Sequence, residues 1–274
     1  MRKPVPAPDA APLSEQHVLG MAEMGFRGLS EQWLMRRGGD LHWRLIAARM
    51  GQREAVFTCA AGQPLYAAFC VTSLRLSAPG LPRLGARLSL SAQLWRVGQS
   101  RLASQQQIMV EGQVVGSLRM ISTFVGRGLG GEHGNRSIVR RMPRAIALPP
   151  EAPPDLAQLA RRGARLAARA GEGMPFGYED TQLPCPSVDF NAAGLLYFPV
   201  YAALTDRAAF AQGMPHDQLL ITRDTVYRGN VDPGEALRIR LAGRRDGHLA
   251  ELASARDGRV LALSRSRYGL SRAA

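Results

Sequence analysis

The stretch from Val188 to Phe210, VDFNAAGLLYFPVYAALTDRAAF, sets three polar or flexible residues directly ahead of a nearly all-apolar segment. Asp189, Asn191 and Gly194 form a turn that can offer amides to a developing negative charge, because helix starts present unsatisfied N–H groups. Asn191 suits two compatible roles, as an N-cap for those amides or as an oxyanion donor; its amide cannot serve as a general base or nucleophile. Ser30 lies at a second helix start, Gly28 to Ser30, and His42 lies within the helix that follows. The Tyr197 and Tyr201 hydroxyls can orient a ligand or belong to the core.

These residues must be positioned by the segments around them. Leu195, Phe198, Ala202 and Ala209 recur at helical spacing with apolar flanks, so the helix they define is predicted to be buried. Pro199 either bends this helix, at a cost of about 3 kcal/mol, or stands in the first turn of a helix that begins there. Gly28 to Met50 reads as helical with Ser30 as N-cap, and Gly38-Gly39-Asp40 predicts one short helix ending and a second being capped. From Glu54 the period changes to two. Leu88, Leu90, Ala92 and Leu94 alternate with Ser89, Ser91 and Gln93, and similar runs lie near 54–60, 64–76, 101–111 and 114–126.

Residues 128–174 break this pattern with glycines and with Pro149, Pro150, Pro153 and Pro154, which predicts a linker holding a short helix. On that helix Leu156, Leu159 and Leu166 point one way, and Arg161, Arg165 and Arg169 form a basic stripe. Strands follow near 218–228, 234–246, 248–257 and 259–268, with Asp246-Gly247 and Asp257-Gly258 as hairpin turns. The organisation is thus a proline-rich leader (1–16), a helix-and-meander unit (17–127), the linker, and a second such unit (175–274).

Bulk properties bound the function. The chain has 274 residues, 46% of them hydrophobic, enough for a substantial core. No stretch reaches the ~20 apolar residues of a membrane span, and the N-terminus lacks the apolar run of a signal peptide, so a cytoplasmic location and no membrane partner are expected. Cys59, Cys70 and Cys185 fit neither a disulfide framework nor a zinc site and read as small buried thiols. The net charge of +13 comes almost wholly from arginine, with Lys3 the only lysine. Guanidinium groups suit phosphate and carboxylate partners. With 6% aromatics and no recognised nucleic-acid motif, a nucleic-acid partner is not expected.

Asp189-x-Asn191-x-Ala193-Gly194-Leu195, followed by Pro199 and Asp206-x-Ala208, resembles the D-x-D-x-A-G motif that opens the central helix of hotdog-fold acyl-CoA thioesterases. In that family the second aspartate is the catalytic carboxylate, and here Asn191 replaces it, so the resemblance implies the fold while arguing against hydrolysis at this helix. Two helix-and-meander units then imply an α+β double hotdog. A wider resemblance covers GLSEQWLMRRGGDLHWRLIA, LYAAFCVTSLRL and DFNAAGLLYFPVYAALTDRAAF in that order. It is to the double-hotdog acyltransferase/decarboxylases of polyketide biosynthesis.

That resemblance implies an enzyme that takes a malonyl- or methylmalonyl-type group from CoA, decarboxylates it and passes the product to an acyl carrier protein. The family's acyl-bearing tyrosine matches Tyr66 in Leu65-Tyr66-Ala67-x-Phe69; without the resemblance Tyr66 reads as a core or interface aromatic. A phenol is only about one part in a thousand ionised at neutral pH, so such a role needs a base or cation nearby, with Arg75 and His42 as candidates. The catalytic set implied is Tyr66, Asn191 and Gly194, and the substrate-binding set is Ser30, His42, Asp189 and Tyr197. Acyl-CoA and an acyl carrier protein are the expected partners, no metal or other cofactor is required, and a homodimer is compatible with this organisation. The alternatives are a thioesterase or dehydratase on the same fold, and a non-catalytic acyl-carrier-binding protein.

Overall fold

Alternating apolar and polar residues become the half-buried strands of one large sheet. The computed structural model describes residues 12–128, 134–135, 138–143, 148–169, 175–214, 217–244 and 246–270. The first half comprises β1 (Leu13–Val18), α1 (Glu31–Arg49), β2 (Phe57–Thr58), β3 (Pro64–Leu76), β4 (Arg87–Val97), β5 (Arg101–Val110) and β6 (Gln113–Arg127). A crossing segment with β7 (Ile138–Arg140) and α2 (Pro154–Ala168) leads to β8 (Tyr178–Gln182), the short α3 (Pro186–Asp189) and α4 (Phe198–Ala211). The chain then completes β9 (Gln218–Tyr227), β10 (Leu237–Arg244), β11 (Gly247–Ser254) and β12 (Val260–Leu270).

The strand order is β1-β4-β5-β6-β3-β9-β12-β11-β10-β8, with β2 on β3 and β7 on β6. The two halves meet where β3 pairs antiparallel with β9, Val71 opposite Val226 and Arg75 opposite Thr222. Leu34, Leu41, Leu45 and Ile46 of α1 pack on Leu88, Leu90, Ile108, Leu118 and Met120. Val200, Tyr201, Leu204 and Ala208 of α4 pack on Leu237, Ile239, Ala250 and Leu252. The other face of the sheet is covered at the junction by α2, whose Leu156, Leu159 and Ala160 meet Val71, Ala103, Ile121 and Val226.

Three sequence expectations are corrected. The predicted break at Gly38-Gly39 is absent, and α1 runs unbroken through both glycines. The glycines serve packing: a Cβ on Gly38 would lie 2.4 Å from Leu118 Cδ2, and one on Gly39 would lie 2.9 Å from the Phe198 ring. Close approach between helix, sheet and the opposite half outweighs the ~1 kcal/mol that each glycine costs in a helix. Strand β1 begins inside the stretch expected as a leader and covers the β4 edge, with Leu13 opposite Ala92. Of the three cysteines only Cys59 is buried; Cys70 is partly buried and Cys185 is exposed, because it stands at the start of α3. Pro199, in contrast, occupies the first turn of α4, where its missing N–H costs nothing.

The halves are also tied through charge. Arg223 of β9 is 3% exposed and lies 3.1 Å from Glu31 in the first turn of α1 and 2.6 Å from Asp206 of α4. Burial pushes the Glu31 carboxyl up to about 7 even beside that guanidinium. Among the described residues no helix is long and apolar enough to cross a membrane.

The packing at Gly38 predicts that Gly38→Ala destabilises the protein by about 1–3 kcal/mol through overpacking against Leu118 and Gln106. Helix propensity alone would stabilise it by ~1 kcal/mol. Denaturant unfolding of the variant decides between them by its sign.

Candidate active site

The β3–β9 ladder ends at Val71 and Val226, while β3 continues back to Pro64, paired with β6 along one side. On its other side β2 reaches only Leu65 and Pro64. Between these limits the strands part, and a cleft of about 700 Å³ opens, lined by Tyr66, Phe69 and Cys70 of β3 and by residues 191–193, 195–198 and 227–230 of the second half. One wall is closed from α1 by Trp43, whose Nε1 donates to the Ala67 carbonyl at 2.9 Å.

The segment facing Tyr66 is a tight turn rather than a helix start. Phe190 bridges Leu196, the Gly194 amide donates to the Asn191 carbonyl at 2.9 Å, and Gly194 takes φ 71°, a conformation that suits glycine. Asn191 Oδ1 accepts from the Ala193 and Leu195 amides at 3.0 and 3.1 Å. The turn is held from outside. Asn135 Nδ2 donates to the Gly194 carbonyl at 2.7 Å, and Asn230 Oδ1 accepts from the Leu196 amide at 2.8 Å.

Asn191 therefore caps a turn with its oxygen, and its Nδ2 has no partner among the described residues, in a residue that lines the cleft. The structure brings Tyr66, Asn191 and Tyr197 to this one cleft. It does not bring the other nominated residues. The Gly194 amide is spent on the Asn191 carbonyl, so it is not a free oxyanion donor. Ser30 Oγ accepts from the Trp33 amide at 3.2 Å as the N-cap of α1, away from the cleft lining. Asp189 is buried and accepts from the Cys185 amide at 2.8 Å. Arg75 makes two hydrogen bonds to Asp224, at 2.8 and 2.7 Å.

His42 is a structural residue. It is fully buried, with Nδ1 2.8 Å from Ser104 Oγ and Nε2 2.7 Å from Ser122 Oγ. Burial lowers its pKa to about 3, so it stays neutral and joins helix to sheet.

The cleft also contains groups the sequence did not nominate. Arg140, Arg228 and Arg259 line it, and Arg259 is held by a 3.0 Å bond to the Asn230 carbonyl. Cys70 shares the lining, its thiol pushed up by burial. Tyr201 is committed, donating to the Gly229 carbonyl at 2.9 Å. The Tyr66 hydroxyl has no hydrogen-bond partner among the described residues. No aspartate, glutamate or histidine lines the cleft among the described residues. The arrangement offers an apolar channel, a cationic rim, a phenol and one free side-chain amide. These features suit a ligand with an acyl tail, a polarisable carbonyl and an anionic head. The arginines escaped sequence reasoning because 35 Lys and Arg residues give no local signal for the few that converge.

No protein-family profile and no curated protein sequence matches the chain. Solved structures do. The chain is similar to a 12:0-ACP thioesterase from Umbellularia californica, with TM-score 0.70, 10% identity, and 95% of this chain covering 98% of that one. It is also similar to an acyl-ACP thioesterase from Bacteroides thetaiotaomicron, with TM-score 0.64, 12% identity, and 94% of this chain covering 98% of that one. At these identities the likeness is one of fold, and that fold is the hotdog.

The His42 site carries a pH signature. Its depressed pKa means that its stabilising contribution is complete above about 6.5 and is lost as pH falls towards about 3, since the unfolded chain takes up a proton that the folded one refuses. Between pH 6.5 and 4.5 the wild type should lose about 2–3 kcal/mol more stability than His42→Gln. Urea unfolding across that range tests this, and parallel profiles would refute it.

Proposed function

We propose that the chain is an enzyme acting on acyl thioesters of CoA or an acyl carrier protein, working at the cleft between Tyr66 and Asn191. The single observation that carries this reading is the cleft itself: an apolar channel of about 700 Å³ with a free phenol, a free side-chain amide and three arginines in its lining. Its setting, a hotdog fold shared with thioesterases, agrees. On this reading the chain is a double hotdog, residues 17–127 and 175–274 forming the two units, and each unit contributes one side of the site.

In the proposed chemistry the acyl tail lies along the apolar wall and Asn191 Nδ2 donates to the thioester oxygen as charge develops there. Thioester hydrolysis is the first reading, because the named neighbours are thioesterases. The Tyr66 hydroxyl then orients water against the carbonyl carbon, and the thiol leaves as free acid forms. A specific observation favours a second reading, transfer with or without decarboxylation: among the described lining residues no carboxylate or imidazole is present to activate water. In that case the Tyr66 oxygen attacks the carbonyl, loses its proton, expels the thiol, and passes the acyl group to the thiol of a holo carrier.

The test is incubation with acyl-, malonyl- and methylmalonyl-CoA, with and without holo carrier protein, reading thiol release, free acid and intact carrier mass. Thiol with free acid marks hydrolysis, and a gain of acyl mass on the carrier marks transfer. No thiol release from any CoA or carrier thioester overturns the proposal. Tyr66→Phe should fold normally and lose on the order of 10²-fold or more in kcat, with KM nearly unchanged. Wild-type turnover in that variant would remove Tyr66 from the mechanism.

A further inference from the structure

A second hollow, of about 330 Å³, lies on the face of the sheet covered by α2, with Val71, Leu159 and Val226 in its floor and Arg162, Arg165, Arg169 and Arg265 in its walls. Its shape follows from one glycine. A Cβ on Gly163 would lie 2.6 Å from Val71 Cγ2, so the helix can press onto the β3–β9 junction only where it has no side chain. From that contact the C-terminal half of α2 carries Arg162, Arg165 and Arg169, all exposed, over β9 and the exposed Arg265 of β12.

The charges here are unbalanced. The one carboxylate among the described lining residues, Asp224, is engaged by Arg75 through two bonds at 2.8 and 2.7 Å. Arg162, Arg165, Arg169 and Arg265 have no acidic partner among the described residues. Elsewhere arginines pair: Arg37 with Glu15, Arg96 with Glu151, Arg119 with Asp155 and Arg223 with Glu31. Four like charges around one concavity repel each other unless an anion joins them, and guanidinium groups match phosphate oxygens in geometry as well as charge.

The linings of the hollow and of the proposed active cleft follow one another along the chain at the end of the β3–β9 ladder. On β3, Cys70 lines the cleft and Val71 the hollow; on β9, Val226 lines the hollow and Tyr227 the cleft, as does Arg228 just beyond the strand. Arg228 links the cleft lining to α2, donating to the Ala167 carbonyl at 3.3 Å. A ligand reaching both would need a reactive thioester at one end, a flexible arm, and a compact, multiply charged phosphate head at the other.

We propose that this hollow binds the phosphate groups of CoA, placing the nucleotide end on α2 while the thioester lies by Tyr66. The proposal rests on the acyl-thioester reading. CoA is favoured over the acidic surface of a carrier protein because the four guanidiniums surround a small concavity. An acidic helix would instead meet a long, flat stripe.

Isothermal titration with CoA, 3′-dephospho-CoA and pantetheine tests this without turnover. The wild type should bind CoA roughly 10-fold or more tightly than pantetheine, with affinity falling as salt rises. Arg162→Gln/Arg265→Gln, and separately Arg165→Gln/Arg169→Gln, should lose most of that difference while pantetheine affinity and Tm stay unchanged. Equal affinity for CoA and pantetheine in the wild type, or unchanged CoA affinity in both variants, overturns the inference and leaves the proposed function intact. Variants that lose turnover only with carrier-bound thioesters also overturn it, and would assign the hollow to the carrier. A wild type that binds no CoA yet releases thiol from an acyl carrier rejects the hollow's assignment alone; one that does neither rejects both proposals.

Discussion

The short ladder between β3 and β9 is the constraint on which the rest of the molecule depends. Where Val71–Arg75 pairs with Thr222–Val226, two half-sheets that would each end in an open edge become one, which removes a surface prone to unwanted pairing. Because the ladder is short and β3 is long, the strands part at one end. The apolar edge exposed there is the cleft, and the helix that seals the ladder from the other face supplies the basic hollow. Joining the halves and forming the site are thus consequences of one register.

Around that ladder the fold uses polar groups in two ways. Some are buried and tie helices to the sheet: His42 between two serines, Gln106 donating to the Gly38 carbonyl at 2.7 Å, and Arg223 between Glu31 and Asp206. Such groups fix α1 and α4 in one position on the sheet, since shifting either helix would strand a buried polar atom. Others keep a polar end without a partner among the described residues, as with Asn191 Nδ2, the Tyr66 hydroxyl and the four arginines of the hollow. The second group gathers on both sides of the ladder's end, where a ligand would replace the missing partners.

The chemistry available there is donation and positive potential rather than proton abstraction. Asn191 holds its own turn through Oδ1, which fixes the orientation of its amide end, the kind of preorganisation that the proposed oxyanion donor would need. Apolar walls would strengthen such an interaction wherever they exclude water. The same walls make an unpaired carboxylate costly, which is consistent with a lining that has none among the described residues.

The sequence by itself determined the period-two strands, the two helix-and-meander halves, Ser30 as a cap and the turn residues around Asn191, and it left Pro199 as either a kink or a first-turn residue. Each of these is a local property, set by side-chain alternation or by backbone freedom within a few residues. It also nominated Asn191 from its place in a polar turn, and Tyr66 only through family resemblance, since a lone aromatic on a strand has no chemical signature. Only the tertiary structure decided that the Gly38-Gly39 pair continues a helix, because the reason lies in Leu118 and Phe198, far along the chain. Only it separated His42 and Asp189, buried and satisfied, from Asn191, half spent and half free. The same holds for the arginines: charge is written in composition, but whether a guanidinium meets Glu15 or stands open beside three others depends on which strands lie next to one another.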